Sequence, residues 1–223
     1  MIAGLVFEYV IIAALLWLAT QTDNVLAWWL IALVIGNRIH ALGIIGHWAL
    51  HGLLPRWVMW LAFIPGAIDH RVYRASHTIH HKHLGEIVDP EVQINLKYKK
   101  RWERVRWWDT LLDITGLHTD EAISIMRVLA SPSSLMLWAI LVLALGIGWM
   151  GWAAVVLPMA FLGTLATHRW RARYEHNHLG LPGVTFVHNR PPFWVHVLVL
   201  PYGAWLHAEH HEWPNQVVWR LYD

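Results

Sequence analysis

The chain has 223 residues, of which 57% are hydrophobic and 14% are charged, and its formal net charge is +2. Soluble globular domains carry about 25% charged residues, so this composition excludes a disordered or fibrous chain and disfavours an ordinary soluble enzyme. The chain has no Cys but 17 His and 17 Trp. Disulfides, thiolate zinc sites and cysteine-bound iron–sulfur clusters are therefore excluded, and histidine is the metal ligand in excess.

Two long apolar runs open the chain. Residues 1–20 contain a single charged residue, Glu8, and lack the basic start of a signal peptide, so they predict a transmembrane helix. Residues 25–50 predict a second helix that continues past the membrane. The next apolar stretch, 53–68, is interrupted by Pro and Arg, which is typical of an interfacial or re-entrant helix.

A third apolar region, residues 134–167, is long enough for two short helices, and its glycines predict a hairpin, with one kinked helix as the alternative. Lys and Arg are absent from residues 1–37 and 128–168. With four spans, all the basic residues share one membrane face. The positive-inside rule assigns that face to the cytoplasm, at an inner or plasma membrane.

We therefore expect an all-α integral membrane protein with about four transmembrane helices and a cytosolic helical cap. Its single domain comprises the first two transmembrane helices (1–51), an interfacial and cytosolic insert (52–133), the hairpin (134–167) and a cytosolic C-terminal part (168–223). A soluble protein with very apolar core helices is the alternative.

The insert carries a basic cluster interleaved with tryptophans. Such a cluster suits anionic lipid headgroups or an acidic electron-donor protein. In an apolar chain of net charge +2, nucleic-acid binding is not expected. The basic residues are Lys97, Lys99, Lys100, Arg101, Arg104 and Arg106, and the tryptophans are Trp102, Trp107 and Trp108.

Three histidine clusters have helical spacing and lie on the face assigned to the cytoplasm. They are His47 and His51 (box one), His77, His80 and His81 (box two), and His207, His210 and His211 (box three). Residues three and four apart point the same way from a helix. Eight convergent imidazoles exceed the needs of one ion, and neutral imidazole suits iron, zinc, copper and nickel.

Other metal chemistries fit less well. Box one lacks the Glu of a zinc peptidase motif, and a carboxylate di-iron bundle needs paired Glu-x-x-His motifs, of which this chain has one. A bis-His haem site needs histidines inside opposed spans, whereas the boxes lie beyond the span ends. The isolated histidines are expected to be structural: His40, His70, His83, His118, His168, His188 and His196.

The three boxes, as H-x3-H, H-x2-HH and H-x2-HH, resemble those of the membrane fatty acid desaturase superfamily. This group includes acyl desaturases, carotenoid ketolases and hydroxylases, and it is related to the alkane hydroxylases. Residues 38–52 are similar to the family's approach to box one, Asp89-Pro90-Glu91 to its sequel of box two, and Pro201-Tyr202 to its lead-in to box three. Trp48 departs from the pattern, because many members have an acidic residue there.

The resemblance implies two irons and O2 as co-substrate. The implied ligands are His47, His51, His77, His80, His81, His176, His207, His210 and His211. His178 is the alternative to His176 as the ninth ligand. Asp89, Glu175 and Glu209 are candidates to accept a hydrogen bond from a ligand's free ring N–H and so fix its tautomer. Ordinary salt bridges to arginine are the alternative for these carboxylates.

The implied activity is O2-dependent oxidation of unactivated C–H bonds in a lipid-like substrate, and we expect desaturation of a fatty acyl chain. A hydroxylase or ketolase of a hydrocarbon or carotenoid is the alternative enzyme, and a non-catalytic membrane carrier of metal or haem is the alternative from another class. The chain has no Cys and no Gly-rich dinucleotide motif. Electrons are therefore expected from a ferredoxin, rubredoxin or cytochrome b5. The other expected partners are membrane lipids and a lipophilic substrate.

Overall fold

The computed structural model describes residues 1–103, 119–148, 151–176 and 192–216, and helices are the regular elements of these ranges. The α-helices in chain order are α1 Ile2–Thr20, α2 Val25–Leu50, α3 Arg56–Phe63, α4 His70–Lys82, α5 Pro90–Glu103, α6 Thr119–Leu129, α7 Pro132–Gly148, α8 Gly151–His176, α9 Phe193–Leu198 and α10 His207–Glu212. Short 3-10 turns, Ile64–Gly66 and Pro201–Leu206, precede α4 and α10. The all-α prediction is confirmed for these residues.

Two of the described helices, α1 and α2, are long and apolar enough to cross a membrane. A third span is available if α6 and α7 count as one, although the chain bends by 105° between Ile123–Leu129 and Pro132–Ile140. Helices α7 and α8 fold back on each other, since the rings of Trp138 and Phe161 lie 4.9 Å apart. The count of four spans and the cytosolic cap therefore remain predictions.

Helix α2 is the central element of the fold. It begins at Asn24, whose Oδ1 accepts hydrogen bonds from the N–H groups of Leu26 and Ala27 at 2.9 and 3.2 Å. Its Gly36 meets α8 so closely that a Cβ would overlap the Ala160 carbonyl oxygen. Thr164 Oγ1 donates to the Gly36 carbonyl at 3.0 Å. A small residue thus permits the close approach that holds helices together in a membrane.

A buried polar network joins α1, α2 and the 201–206 turn. Glu8 is 1% exposed, it lies 3.5 Å from Arg38 Nη1, and it accepts a hydrogen bond from the Tyr202 hydroxyl at 2.6 Å. Tyr202 and Gly203 have φ values of 54° and 81°, in the left-handed region. The one acidic residue of the first apolar run therefore faces the protein interior, where it helps to hold the turn that leads into box three.

The basic cluster of the insert falls only partly within the described residues. Lys97 Nζ donates a hydrogen bond to Ser124 Oγ at 3.1 Å, which ties α5 to α6. Arg104 and Arg106 lie outside the described residues, as do the side chains of Lys99, Lys100 and Arg101. The proposed lipid or donor-protein contact of this cluster stays a prediction.

Candidate metal centre

Box one lies at the end of α2, where the apolar helix gives way to a turn. His47 is in the last turn of α2, and His51 directly follows the helix. Gly52, with a φ of 77°, then turns the chain away, a conformation that glycine adopts without strain. The spacing of four residues brings the two Nε2 atoms 3.2 Å apart. The sequence therefore forms the first pair of nitrogens locally.

The structure brings all eight box histidines together in two adjacent groups. The five-histidine group contains His47, His51, His77, His81 and His210, and the three-histidine group contains His80, His207 and His211. Within each group, one ring nitrogen from every residue lies within 4.8 Å of the others. Box two on α4 and box three on α10 each contribute to both groups.

Helix geometry explains this division. Residues four apart on an α-helix differ in direction by about 40°, whereas a residue three apart lies about 60° to the other side. His77 and His81 therefore stay together in the five-histidine group, and His80 turns to the three-histidine group. On α10 the pair His207 and His211 stays together and His210 crosses over. Each helix therefore contributes its i,i+4 pair to one group and its remaining histidine to the other group.

The nitrogens of the five-histidine group are packed at close range. His77 Nε2 lies 3.0 Å from His47 Nε2, 2.8 Å from His51 Nε2 and 3.0 Å from His81 Nε2. A neutral imidazole has one N–H and one lone pair, so these nitrogens cannot all satisfy one another by hydrogen bonds. Metal–imidazole bonds of about 2.0–2.1 Å place neighbouring ligand nitrogens roughly 2.9–3.4 Å apart. The spacing therefore fits a metal ion at the centre.

The three-histidine group has the same spacing around one residue. His211 Nε2 lies 3.0 Å from His80 Nε2 and 3.0 Å from His207 Nε2. The two groups are in contact, because the rings of His81 and His211 stack with centroids 4.4 Å apart. Two ions held in these groups would therefore be neighbours.

Buried nitrogens without partners give a second reason to expect a cation. Within the described part of the chain, neither ring nitrogen of His210 has a hydrogen-bond partner, and His77 Nδ1 also has none. His210 is 1% exposed. A buried polar atom left unpaired costs about 1–3 kcal/mol. A metal bound at the ring nitrogen of His210 removes part of that cost.

Carboxylates support the three-histidine group. Both oxygens of the fully buried Asp89 lie within 3.0 Å of His80 Nδ1. Since a carboxylate can only accept, Nδ1 carries the proton and the Nε2 lone pair points into the group. Glu175 Oε1 lies 3.8 Å from His207 Nδ1 while Glu175 also pairs with Arg171 at 2.7 Å. Glu175 is therefore near both a box-three histidine and an arginine, the two kinds of partner that the sequence suggested for it.

Glu209, the third carboxylate, lies half-buried on α10 between the members of box three. Its role stays a prediction.

Burial favours the neutral form of several of these imidazoles. Burial lowers the pKa of His51 to about 4. Burial and then the neighbouring imidazoles lower the pKa of His77 and of His210 well below the usual value. His80 is the exception, because the carboxylates of Glu91 and Asp89 outweigh its burial and raise its pKa. Neutral imidazole is the form that binds metal, and a carboxylate partner makes it a more basic ligand.

Two residues beside the site were missed by sequence reasoning. The ring of Tyr73 lies 5.3 Å from His77 and 6.4 Å from His47, between centroids, and burial raises the pKa of its phenol. Glu91 Oε1 lies 3.9 Å from His80 Nε2. Tyr73 precedes His77 by four residues, and this spacing is the signal that could have found it.

Two predicted residues cannot be placed. His176 is the last residue of α8, but its side chain is outside the described residues, as is the whole of His178. Among the histidines predicted to be structural, the ring of His40 is buried and its Nε2 lies 3.3 Å from the Val199 carbonyl oxygen. His83 has a half-exposed side chain, and its Nδ1 lies 3.1 Å from Glu86. Neither belongs to the two groups.

The fold and the site define an all-helical protein with long apolar helices and a histidine-rich centre that could hold two metal ions. Comparison with known families identifies it further. The family model described as fatty acid desaturase matches residues 23–222. The chain therefore belongs to the fatty acid desaturase family, and the resemblance carried by the boxes is confirmed. The comparisons with curated proteins and with solved structures each gave no match.

Family membership implies an oxidoreductase of the desaturase and hydroxylase type in an integral membrane setting. The family depends on two irons and acts on lipids. The two groups of imidazoles in this chain fit that requirement in donor type and in spacing.

Proposed function

We propose that this protein is an integral membrane oxidase that uses O2 and two irons to oxidise unactivated C–H bonds, and that its reaction is desaturation of a fatty acyl chain. The observation that carries this proposal is the pair of adjacent histidine groups in a chain of the fatty acid desaturase family. Two irons bound there supply O2 activation and removal of hydrogen from the substrate.

The protein's own contribution begins with the ligands. The proposed set is His47, His51, His77, His80, His81, His176, His207, His210 and His211, with His178 as the alternative to His176. Burial favours the neutral form of His51, His77 and His210, which offers a lone pair. Asp89 keeps the proton of His80 on Nδ1, so the lone pair on Nε2 is the one that would bind the metal. We propose supporting roles of the same kind for Glu175 and Glu209.

Two cavities near the site support an approach for an apolar substrate. A small cavity of about 40 Å3 between α2 and α8 has Tyr73 at one side and Phe161 and Leu165 in its wall. A larger cavity of about 370 Å3 opens between α3 and α7, and Ile68 borders both. Most of the side chains that line the two cavities are apolar, and we propose that an acyl chain approaches Tyr73 and the histidines behind it from this side, where it does not have to cross water.

The position of box one supports a site just outside the membrane core. From Val25 to His47 the helix rises roughly 33 Å at about 1.5 Å per residue, slightly more than the ~30 Å hydrocarbon core. The distribution of Lys and Arg favours the cytoplasmic face of an inner or plasma membrane. We propose that a ferredoxin, rubredoxin or cytochrome b5 delivers electrons at this face.

Mass spectrometry of lipids from expressing cells tests the proposal. Desaturation appears as acyl chains that have lost two hydrogens, whereas a gain of oxygen indicates hydroxylation or ketolation and overturns the desaturase assignment. The His80→Ala variant should abolish the change, and the matched control His83→Ala, a half-exposed histidine beside the same box, should keep it. If the lipids stay unchanged although the protein is iron-loaded and a reduced electron donor is present, the protein is a carrier, and the proposal that it is an enzyme is overturned.

A further inference from the structure

Helix α9, which precedes box three, exposes four apolar side chains, while its polar residue His196 is half-buried and stacks on Trp205. Phe193, Trp194, Val197 and Leu198 are 42–79% exposed. They occupy one side of the helix, while Val195 on the other side is fully buried against the core that contains Trp48. An exposed surface of this kind marks a contact with another apolar phase.

The C-terminal end of α9 lies against the middle of α2. Three consecutive carbonyl oxygens meet three side chains of α2, because the last carbonyls of a helix lack partners within it. Arg38 Nη2 donates to Val197 at 3.4 Å, Asn37 Nδ2 donates to Leu198, and His40 Nε2 lies 3.3 Å from the Val199 oxygen. The polar residues that interrupt the apolar run of α2 therefore complete the end of α9.

This contact gives the depth of α9 in the membrane. Residues 37–40 are 12–15 positions after the start of α2 at Val25, so they lie roughly 18–23 Å along a helix that rises about 1.5 Å per residue. The hydrocarbon core is ~30 Å thick. The carbonyl end of α9 is therefore at a level where no water reaches the backbone, and each carbonyl needs a protein donor.

We propose that α9 is a re-entrant helix embedded in the cytoplasmic half of the bilayer, with Phe193, Trp194, Val197 and Leu198 in contact with lipid acyl chains. The occupant of the exposed face is lipid, because Val6, Phe7 and Val10 of α1, which flank the partner of Arg38, also expose apolar side chains at this depth. Box three then follows a segment that is anchored in the membrane. This inference depends on α2 crossing a membrane and does not depend on the reaction catalysed.

Site-directed spin labelling tests this placement directly, because the chain has no Cys to remove. Trp194→Cys and Val197→Cys carry a nitroxide in the iron-loaded protein, reconstituted in phosphatidylcholine–phosphatidylglycerol vesicles. The lipid reference is Leu30→Cys, at an exposed position of α2, and the water reference is Glu86→Cys, in the turn after α4. Power saturation compares collisions with O2 and with a neutral nickel chelate.

The expected ratio of O2 to nickel collisions at the two α9 positions is at least about tenfold that at Glu86→Cys, because hydrocarbon excludes polar solutes, and it is close to that at Leu30→Cys. A ratio equal to the water reference would overturn the proposal. Low collision rates with both reagents would also overturn it, since they would show that protein covers the face. Unchanged iron content in each variant shows that the label has not disturbed the fold.

Discussion

The two histidine groups consist of the same kind of side chain, but they differ in the partners of the ring nitrogens that face away from the centre of each group. In the five-histidine group, His77 Nδ1 and His210 Nδ1 have no partner in the described part of the chain, and the rings mainly face one another. In the three-histidine group, His80 is backed by Asp89 and His207 lies near Glu175.

With the proposed ligand set, this difference gives the two groups different means of binding a metal. The five-histidine group would bind it by the number of its imidazoles. The three-histidine group has fewer described histidines, and Asp89 would make His80 a more basic ligand. Removal of a ligand and removal of a carboxylate should therefore act differently in the two groups.

The largest effects are expected from the ligands themselves. His210→Ala and His80→Ala should each abolish activity and release about one of two irons, because each variant opens a different group. Iron per chain is measured by plasma mass spectrometry. His83→Ala is the matched control and should keep full iron and activity. Full activity and normal iron in either ligand variant would show that the metal is bound elsewhere.

Glu175→Gln should have the next largest effect. It leaves the buried Arg171 without its carboxylate partner, at a cost of about 3 kcal/mol, and the melting temperature of the detergent-solubilised protein should fall by roughly 6–12 °C. The double variant Arg171→Met with Glu175→Gln removes the unpaired charge and should recover most of the melting temperature. Glu175→Gln should also lose iron from the three-histidine group, because Glu175 lies 3.8 Å from His207. If the double variant regains this iron, Glu175 acts only through Arg171.

Asp89→Asn should weaken only the three-histidine group. The amide keeps an acceptor for the N-terminal end of α5 but loses the charge behind His80, and we expect about a 10- to 100-fold loss of metal affinity at that group. Competition with a chelator separates the two irons by their release. Glu86→Gln, which changes a carboxylate beside the half-exposed His83, is the control. Equal loss of both irons would contradict the division into two differently supported groups.

The smallest effect on the metal centre is expected from Trp48→Phe, at the link between box one and box three. Trp48 Nε1 donates to the Tyr202 carbonyl at 3.0 Å, and the loss of one hydrogen bond costs about 1 kcal/mol. Trp48 is also fully buried, so the smaller ring leaves a cavity that costs about 1–2 kcal/mol more, and the melting temperature should fall by roughly 4–12 °C. Both irons should remain. The exposed Trp57→Phe is the control, and an equal shift in that variant would show that the Tyr202 contact contributes nothing specific.

Much of this architecture is local and was therefore predictable. The helical spacing of box two and box three places their histidines on α4 and α10, and apolar runs predict α1 and α2 nearly to their ends. The division into two groups follows from the same spacing, because the 40° and 60° offsets are properties of any α-helix.

The remaining features depend on contacts between distant parts of the chain. Tyr73 reaches box one across 26 residues, and Glu8 meets Tyr202 across 194. No local pattern shows that the carboxylate of an apolar helix will face the interior, or that Asn37 and Arg38 will complete the end of α9. These pairings depend on how the helices pack, and propensity and periodicity do not specify that packing.

Helix α2 connects Gly36, which is locked against α8, to box one without a break. A single residue inserted between Gly36 and His47 would rotate both box-one imidazoles by about 100° and shift them by ~1.5 Å, while the rest of the helix stayed in place. The number of residues in this segment therefore sets the orientation of the box-one imidazoles. Among related chains, we expect insertions and deletions to avoid this interval even where its side chains vary.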